Sequence, residues 1–333
     1  MPTKKATKAP AKKAASPTRT TSAKRAATEV DLPSVKEPVI TEEPAAPSGR
    51  LGIRKTYKLF IGGAFPRSES GRSYVVTDAS GGFLANAALA SRKDVRDAVL
   101  AARAAVSKWA GATAYNRGQI LYRIAEMLEG RRDQFIAEVR AAEGVPAETA
   151  AASVDAAIDR WVWYAGWTDK IAQVYGNANP VAGPFFNLSS PEPTGVVGIV
   201  APPDSSLLGL VSVIAPAILS GNTVVVLASD KRPLPAITLT EVLATSDLPG
   251  GVVNILTGYV EETAPHLAAH MDVNAIDLTG VTDPELATNL EIAAAENLKR
   301  VIRPSATDWT ADPGTDRITR LLETKTVWHP KGV

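Results

Sequence analysis

The chain has 333 residues, is 45% hydrophobic, and carries 36 Lys and Arg against 35 Asp and Glu with no cysteine. That length suffices for one large or two medium domains, and the composition excludes a disulfide framework, a thiolate metal site and a thiol nucleophile. No apolar run reaches the roughly 18–20 residues that cross a bilayer and no hydrophobic signal core is present, so a cytoplasmic protein without membrane contact is expected.

Charge is distributed unevenly. Lys4, Lys5, Lys8, Lys12, Lys13, Arg19, Lys24 and Arg25 lie within the first 25 residues with no acid among them. Setting those eight aside from the chain's 36 leaves 28 cations against 35 acids, so the remainder is acidic. Residues 1–50, mainly Ala, Lys, Pro, Thr and Ser, show no recurring apolar face and are predicted to be a disordered basic tail. Such a tail serves as a solubilising arm, docks to an acidic partner, or contacts nucleic acid by counterion release. No folded nucleic-acid motif accompanies it.

Order is expected from Tyr57. KLFIGGAF reads as a hairpin, strand–Gly62-Gly63–strand. Residues 91–109 form an amphipathic helix with Val95, Val99, Ala102 and Val106 on one stripe. Residues 116–143 continue with apolar positions every three or four, and residues 147–173 form a further helix after the break at 144–146. Its stripe of Trp161, Tyr164 and Trp167 reads as core packing before a base-stacking platform. Residues 180–193 are loop with a short strand at 185–188. Two β-branched runs, 196–201 and 223–227, are apolar throughout and read as buried parallel strands. A helix over 205–220 joins them, and Gly221-Asn222 ends it. A second helix at 235–245, a third strand at 252–256, a helix at 261–269, a strand at 275–278 and a helix to Lys299 complete an alternating series. Strand–helix–strand alternation predicts a doubly wound α/β sheet with its ligand crevice at the carboxyl ends of the strands. His266 and His270 stand four apart but lack an acidic third ligand, so solvent-facing helix positions are expected and no metal.

PTGVVGIVAP, IAPAILSGNTVVV and LPGGVVNILTG occur in order at compatible distances, and together they resemble the cofactor-binding domain of NAD(P)-dependent aldehyde dehydrogenases. KLFIGGAF, RGQILYRIAEMLEGRRDQFIAEV, WYAGWTDKI and LKRVI are similar to other segments of that family, and ITRLLETKTVWHP to its last strand. The resemblance implies a Rossmann-like doubly wound parallel sheet with N-terminal helices and a small β oligomerisation arm. It divides the chain into a tail at 1–50, a nucleotide-binding-type domain at 51–304, a polar linker at 305–317 and an oligomerisation strand at 318–333. The roughly 200 residues that form the family's catalytic domain between those last two parts are absent.

The resemblance also says which chemistry is retained. The family attacks its aldehyde with a cysteine thiolate, and this chain has none. Its general-base glutamate falls at Pro304, and the asparagine that holds the oxyanion falls at Asp204, where a carboxylate repels developing negative charge. No catalytic residue is therefore assigned. The family's ribose-binding turn reads LASD, in which Leu227 and Ala228 replace a lysine and a proline while Ser229 and Asp230 are kept. The phosphate turn reads LTGVTDPE, keeping Gly280 but placing Val281 and Glu285 where the family has a serine and a glycine. Ser229, Asp230 and Gly280 are thus the remnant of a cofactor site. The expected state carries no cofactor, with NAD(P) left open. The resemblance implies assembly with itself or with a complete aldehyde dehydrogenase, the chain acting as an inactive structural or regulatory subunit. The alternatives are a residual oxidoreductase completed by a partner and a docking protein driven by its tail.

Overall fold

A computed structural model describes residues 55–332; the basic N-terminal segment expected to be disordered lies outside them. The first described elements are β1 (Thr56–Tyr57), β2 (Ser73–Thr77) and β3 (Phe83–Ala88), which form a small sheet in the order β1-β3-β2. At the expected hairpin, Ile61 and Ala64 exchange both backbone hydrogen bonds at 3.0 Å, and Gly62 and Gly63 take φ of +63° and +84°. The turn forms, and its arms carry one further bond, the Leu59 amide donating to the Pro66 carbonyl at 3.1 Å. Between them Phe60 also pairs with Ile255, because a core strand offers more buried pairing than an isolated two-stranded hairpin.

Helix α1 (Arg92–Ala110) begins at a capping box in which Ser91 and Asp94 satisfy each other's backbone amides. The stretch predicted to run from 116 to 143 is two helices, α2 (Ala114–Glu129) and α3 (Arg132–Glu143), separated at Gly130 and Arg131. The next is likewise divided into α4 (Ala147–Ala165) and α5 (Ile171–Tyr175), with tight turns from Gly166 to Lys170 between them. Gly118 is required where α2 meets that turn, since a Cβ would come within 2.7 Å of the Thr168 hydroxyl. Its neighbour Arg117 is buried and donates to the Leu219 carbonyl at 2.9 Å.

The remaining elements are β4 (Asn177–Asn179), β5 (Phe185–Pro193), β6 (Val196–Val200), α6 (Leu208–Ile218), β7 (Thr223–Leu227), α7 (Leu234–Ala244), β8 (Val253–Leu256), α8 (Val260–Ala268), β9 (Ala275–Asp277), α9 (Pro284–Ala295), β10 (Arg300–Ile302), α10 (Asp316–Thr319) and β11 (Leu322–Pro330). Five strands form one parallel sheet in the order β10-β9-β6-β7-β8. Every residue of β6, β7, β8 and β9 is buried, which accounts for their apolar runs. Strand alternation divides them between two cores. Val196, Val200, Val225 and Leu227 face α1, α8 and α9 through Val95, Val99, Leu267 and Leu290. Val197, Ile199, Val224 and Val226 join the larger core with Ile214 of α6, Leu239 of α7 and Trp161 of α4. Trp161 and Tyr164 are fully buried there and Trp167 is partly buried against the same core, so the aromatic stripe is packing.

Strand β11 runs antiparallel to β5, from Leu322 opposite Pro193 to Pro330 opposite Phe185, in a separate sheet ordered β11-β5-β4. The chain reaches β11 from β10 by a crossing segment held at several points. Arg160 donates to Ser212 Oγ at 3.0 Å and to the carbonyls of Trp309 and Ala311 at 2.8 and 3.0 Å. Arg317 pairs with Asp277 Oδ2 at 2.9 Å and its guanidinium lies 5.1 Å from the centre of the Trp309 ring. Asn222 closes the path by donating to the Leu321 carbonyl at 3.0 Å. The backbone of this segment therefore accepts hydrogen bonds from the buried Arg160 as well as connecting the chain.

Candidate functional site

In a doubly wound sheet the crevice lies beyond the carboxyl ends of the strands where their order reverses. Here the reversal falls at β6, with β7 on one side and β9 on the other. Residues 201–204 after β6, 228–232 after β7 and 278–283 after β9 bound the crevice.

The topology brings Ser229, Asp230 and Gly280 to this one end of the sheet, with different surroundings. Ser229 is buried; its hydroxyl donates to the Pro203 carbonyl at 3.2 Å and accepts the Arg232 amide at 3.2 Å. It ties two strand-end loops together. Asp230 is half-exposed, and its Oδ1 accepts the Lys231 amide at 2.8 Å. Gly280 donates its amide to the Val200 carbonyl at 3.0 Å, and a Cβ there would stand 2.0 Å from the Ala201 oxygen. That glycine is needed for two backbones to touch.

Charge around the crevice is mostly negative. Arg232 bridges the loops by donating to the Asp204 carbonyl at 2.8 Å, with the Asp204 carboxylate 3.6 Å away. At the start of α9 the Asp283 carboxylate accepts the Glu285 amide at 2.9 Å, occupying the position an external anion would take, and Glu285 adds a second carboxylate in the first turn. Lys231 is exposed and its ammonium makes no hydrogen bond or ion pair among the described residues. Asp230, Lys231, Tyr74 and Tyr259 border a cavity of about 460 Å³. Burial, then the nearby Asp230 carboxylate, hold the Tyr74 hydroxyl far above the usual phenol range.

The hydroxyls after Asp204 are committed to structure. Ser205 Oγ accepts the Gly209 amide at 2.8 Å, while Ser206 Oγ donates to Glu143 Oε1 at 2.7 Å. A serine nucleophile needs an adjacent base, and these partners are an amide and a carboxylate already receiving a second bond from the Ser206 amide. Sequence reasoning passed over Arg232, and with it the Asp277–Arg317 pair. The one available signal was Asp277, a carboxylate inside a buried strand that demands a cation.

Sheet order, switch point and strand-end loops define an α/β protein of the nucleotide-binding type. The chain belongs to the aldehyde dehydrogenase family, whose model matches residues 65–303. It is 35% identical over 265 residues to cytosolic aldehyde dehydrogenase 1 of Elephantulus edwardii, covering 77% of this chain and 51% of that protein. It is also 35% identical over 262 residues to human retinal dehydrogenase 2, covering 77% and 49%. Among solved structures, the NAD+ complex of an aldehyde dehydrogenase from Bacillus cereus superposes with a TM-score of 0.71 at 27% identity, over 74% of this chain and 50% of that one. HpcC from Thermus thermophilus gives 0.69 at 32% identity, over 74% and 47%. The chain thus spans about half the length of the relatives it matches. No helix among the described residues is long and apolar enough to cross a membrane.

Proposed function

We propose that this chain is a non-catalytic member of the aldehyde dehydrogenase family that acts as a structural or regulatory subunit, assembling with itself or with a complete aldehyde dehydrogenase. The carrying observation is at the crevice. The amide a phosphate would take at the start of α9 already serves Asp283, and Glu285 adds a like charge beside it. Those residues do not fit a dinucleotide pyrophosphate. With Asp204 on the opposite rim and no cysteine in the 333 residues, neither thiolate attack nor oxyanion stabilisation has its usual groups.

One feature supports a second reading. Asp230 remains half-exposed and, among the described residues, its carboxylate bonds only to its neighbour's amide, which leaves it able to accept a ribose hydroxyl. In that reading the chain retains weak NAD(P) binding and a partner supplies the thiol and the base.

Titrating the full chain with reduced NAD or NADP while following nicotinamide fluorescence separates the two readings. The first expects no saturable change and no formation of reduced cofactor from oxidised cofactor and a panel of aldehydes. Saturable binding that disappears in Asp230→Asn establishes the second, and turnover by the chain alone overturns both.

A further inference from the structure

The first turns of α1 and the end of α8 border a second cavity of about 460 Å³. Arg92, Lys93, Arg96, His266 and His270 line it together with the buried Val95 and the exposed Ala269, and among the described residues no carboxylate belongs to its lining. A volume of this size is on the order of a small-molecule site.

The arrangement works against the stability of the helix that carries it. Arg92, Lys93 and Arg96 stand at the amino end of α1, where the helix dipole is positive. Arg92 and Arg96 are also four residues apart, a like-charge pair that helices disfavour. Local acids offset part of this: Lys93 reaches Glu69 at 3.2 Å and Arg96 holds Asp97 at 2.7 Å. Arg92 and His266 have no hydrogen bond or ion pair among the described residues. The Lys93 and Asp94 amides of the first turn are already taken by the Ser91 hydroxyl, so the side chains carry the argument for a ligand. His270 accepts the Asp272 amide on Nδ1 at 3.2 Å, which leaves Nε2 as its donor nitrogen.

We propose that this cavity is a binding site for a compact, multiply charged anion, of the class of a phosphorylated or dicarboxylic small molecule, held between the α1 cations and two histidines, His266 on α8 and His270 just past its end. The anion supplies the charge that the lining lacks.

The histidines make the site observable. Without an anion both imidazoles release their protons more readily than usual. Burial is the main cause in each; Arg92 adds to it at His266, while at His270 Asp272 opposes it and Lys299 and Arg103 add to it. An anion in the cavity opposes that repulsion, so its binding raises the titration midpoints of both.

The chain's three histidines are His266, His270 and His329, and none falls in the basic N-terminal segment. Proton NMR of the imidazole C2 protons on the full chain, assigned with single His→Asn variants, therefore reads each one separately. Ethane-1,2-disulfonate is the probe, because it stays fully ionised throughout the titration. The expected result is an upward, saturable shift of the His266 and His270 midpoints, with His329 on β11 unchanged. Arg92→Ser combined with Arg96→Ser, both exposed, should weaken the response about tenfold or more while leaving the melting transition in place. Equal movement of all three histidines would mean general screening, and absence of any shift would mean no site. Either result, or an undiminished response in the double variant, overturns the proposal.

Discussion

Glu138 on α3 shows how a single buried carboxylate couples this fold to pH. Its Oε1 accepts Thr238 Oγ1 at 2.9 Å and Gln134 Nε2 at 3.0 Å, while Oε2 is buried without a hydrogen-bond partner among the described residues. Burial raises its pKa, and the bonds from Thr238 and Gln134, with Lys55 and Arg131 nearby, only partly oppose that. The folded state therefore holds this proton more tightly than the unfolded chain. The stabilisation it brings is complete below the unfolded carboxyl's pKa and is lost as pH rises through the raised folded value. Glu138→Gln removes the buried charge and should be more stable than the parent at neutral pH by about 1 kcal/mol, with the gap closing in acid. Urea unfolding midpoints across that range test it, and a gap that widens on acidification sinks the assignment. The same long-range dependence limited what could be read at the crevice. Ser229, Asp230 and Gly280 followed from local resemblance, whereas Arg232 became visible only once the β6 and β7 loops were adjacent. Gly280 is explained by the Ala201 carbonyl it touches, a contact that spans some 80 residues of sequence and that no local pattern records.

Among the elements, the buried strands were the most readable, because β-branched apolar runs flanked by turns have few other uses. Helix breaks were less so. The apolar spacing from Leu128 to Phe135 is seven residues, two turns of an unbroken helix, although Gly130 and Arg131 separate α2 from α3. β2 and β3 escaped notice because each is short, half-exposed and without strict alternation. The crossing segment between β10 and β11 reads as a polar linker by composition, yet it carries the partner for Asp277, a strand carboxylate 2% exposed. Removing only the cation leaves a buried charge unpaired, so Arg317→Met should cost about 3–5 kcal/mol. Adding Asp277→Asn should recover most of that loss, since neither charge then remains. Thermal unfolding of the two single variants and the double variant decides the matter. Additive losses would show that the segment is held by its backbone contacts to Arg160 and not by this pair.

For the whole molecule the open question is what covers the β4-β5-β11 sheet. Strand β11 lies at its edge, so one row of its backbone groups has no strand partner among the described residues. Apolar side chains occupy both faces. Leu188 stands opposite Val327 in the register and, with Phe186 two residues away, is 40% and 45% exposed respectively; on the other face Trp328 is 57% exposed and packs edge-on to Phe185 with ring centres 5.8 Å apart. A narrow sheet with apolar groups on both sides and a free edge gains little by standing in water, whereas another chain laid along β11 supplies hydrogen bonds and burial together. The assembling role proposed above therefore places the contact here. Sedimentation velocity of the full chain over a range of micromolar concentrations should show a dimer or larger species, or one that forms on mixing with a complete aldehyde dehydrogenase. Leu188→Lys with Trp328→Lys should return it to monomer without lowering the melting temperature of the parallel-sheet core, because neither side chain packs into that core. A parent chain that stays monomeric alone and in the mixture would remove the arm's function, and with it the reason to keep β11 on this fold.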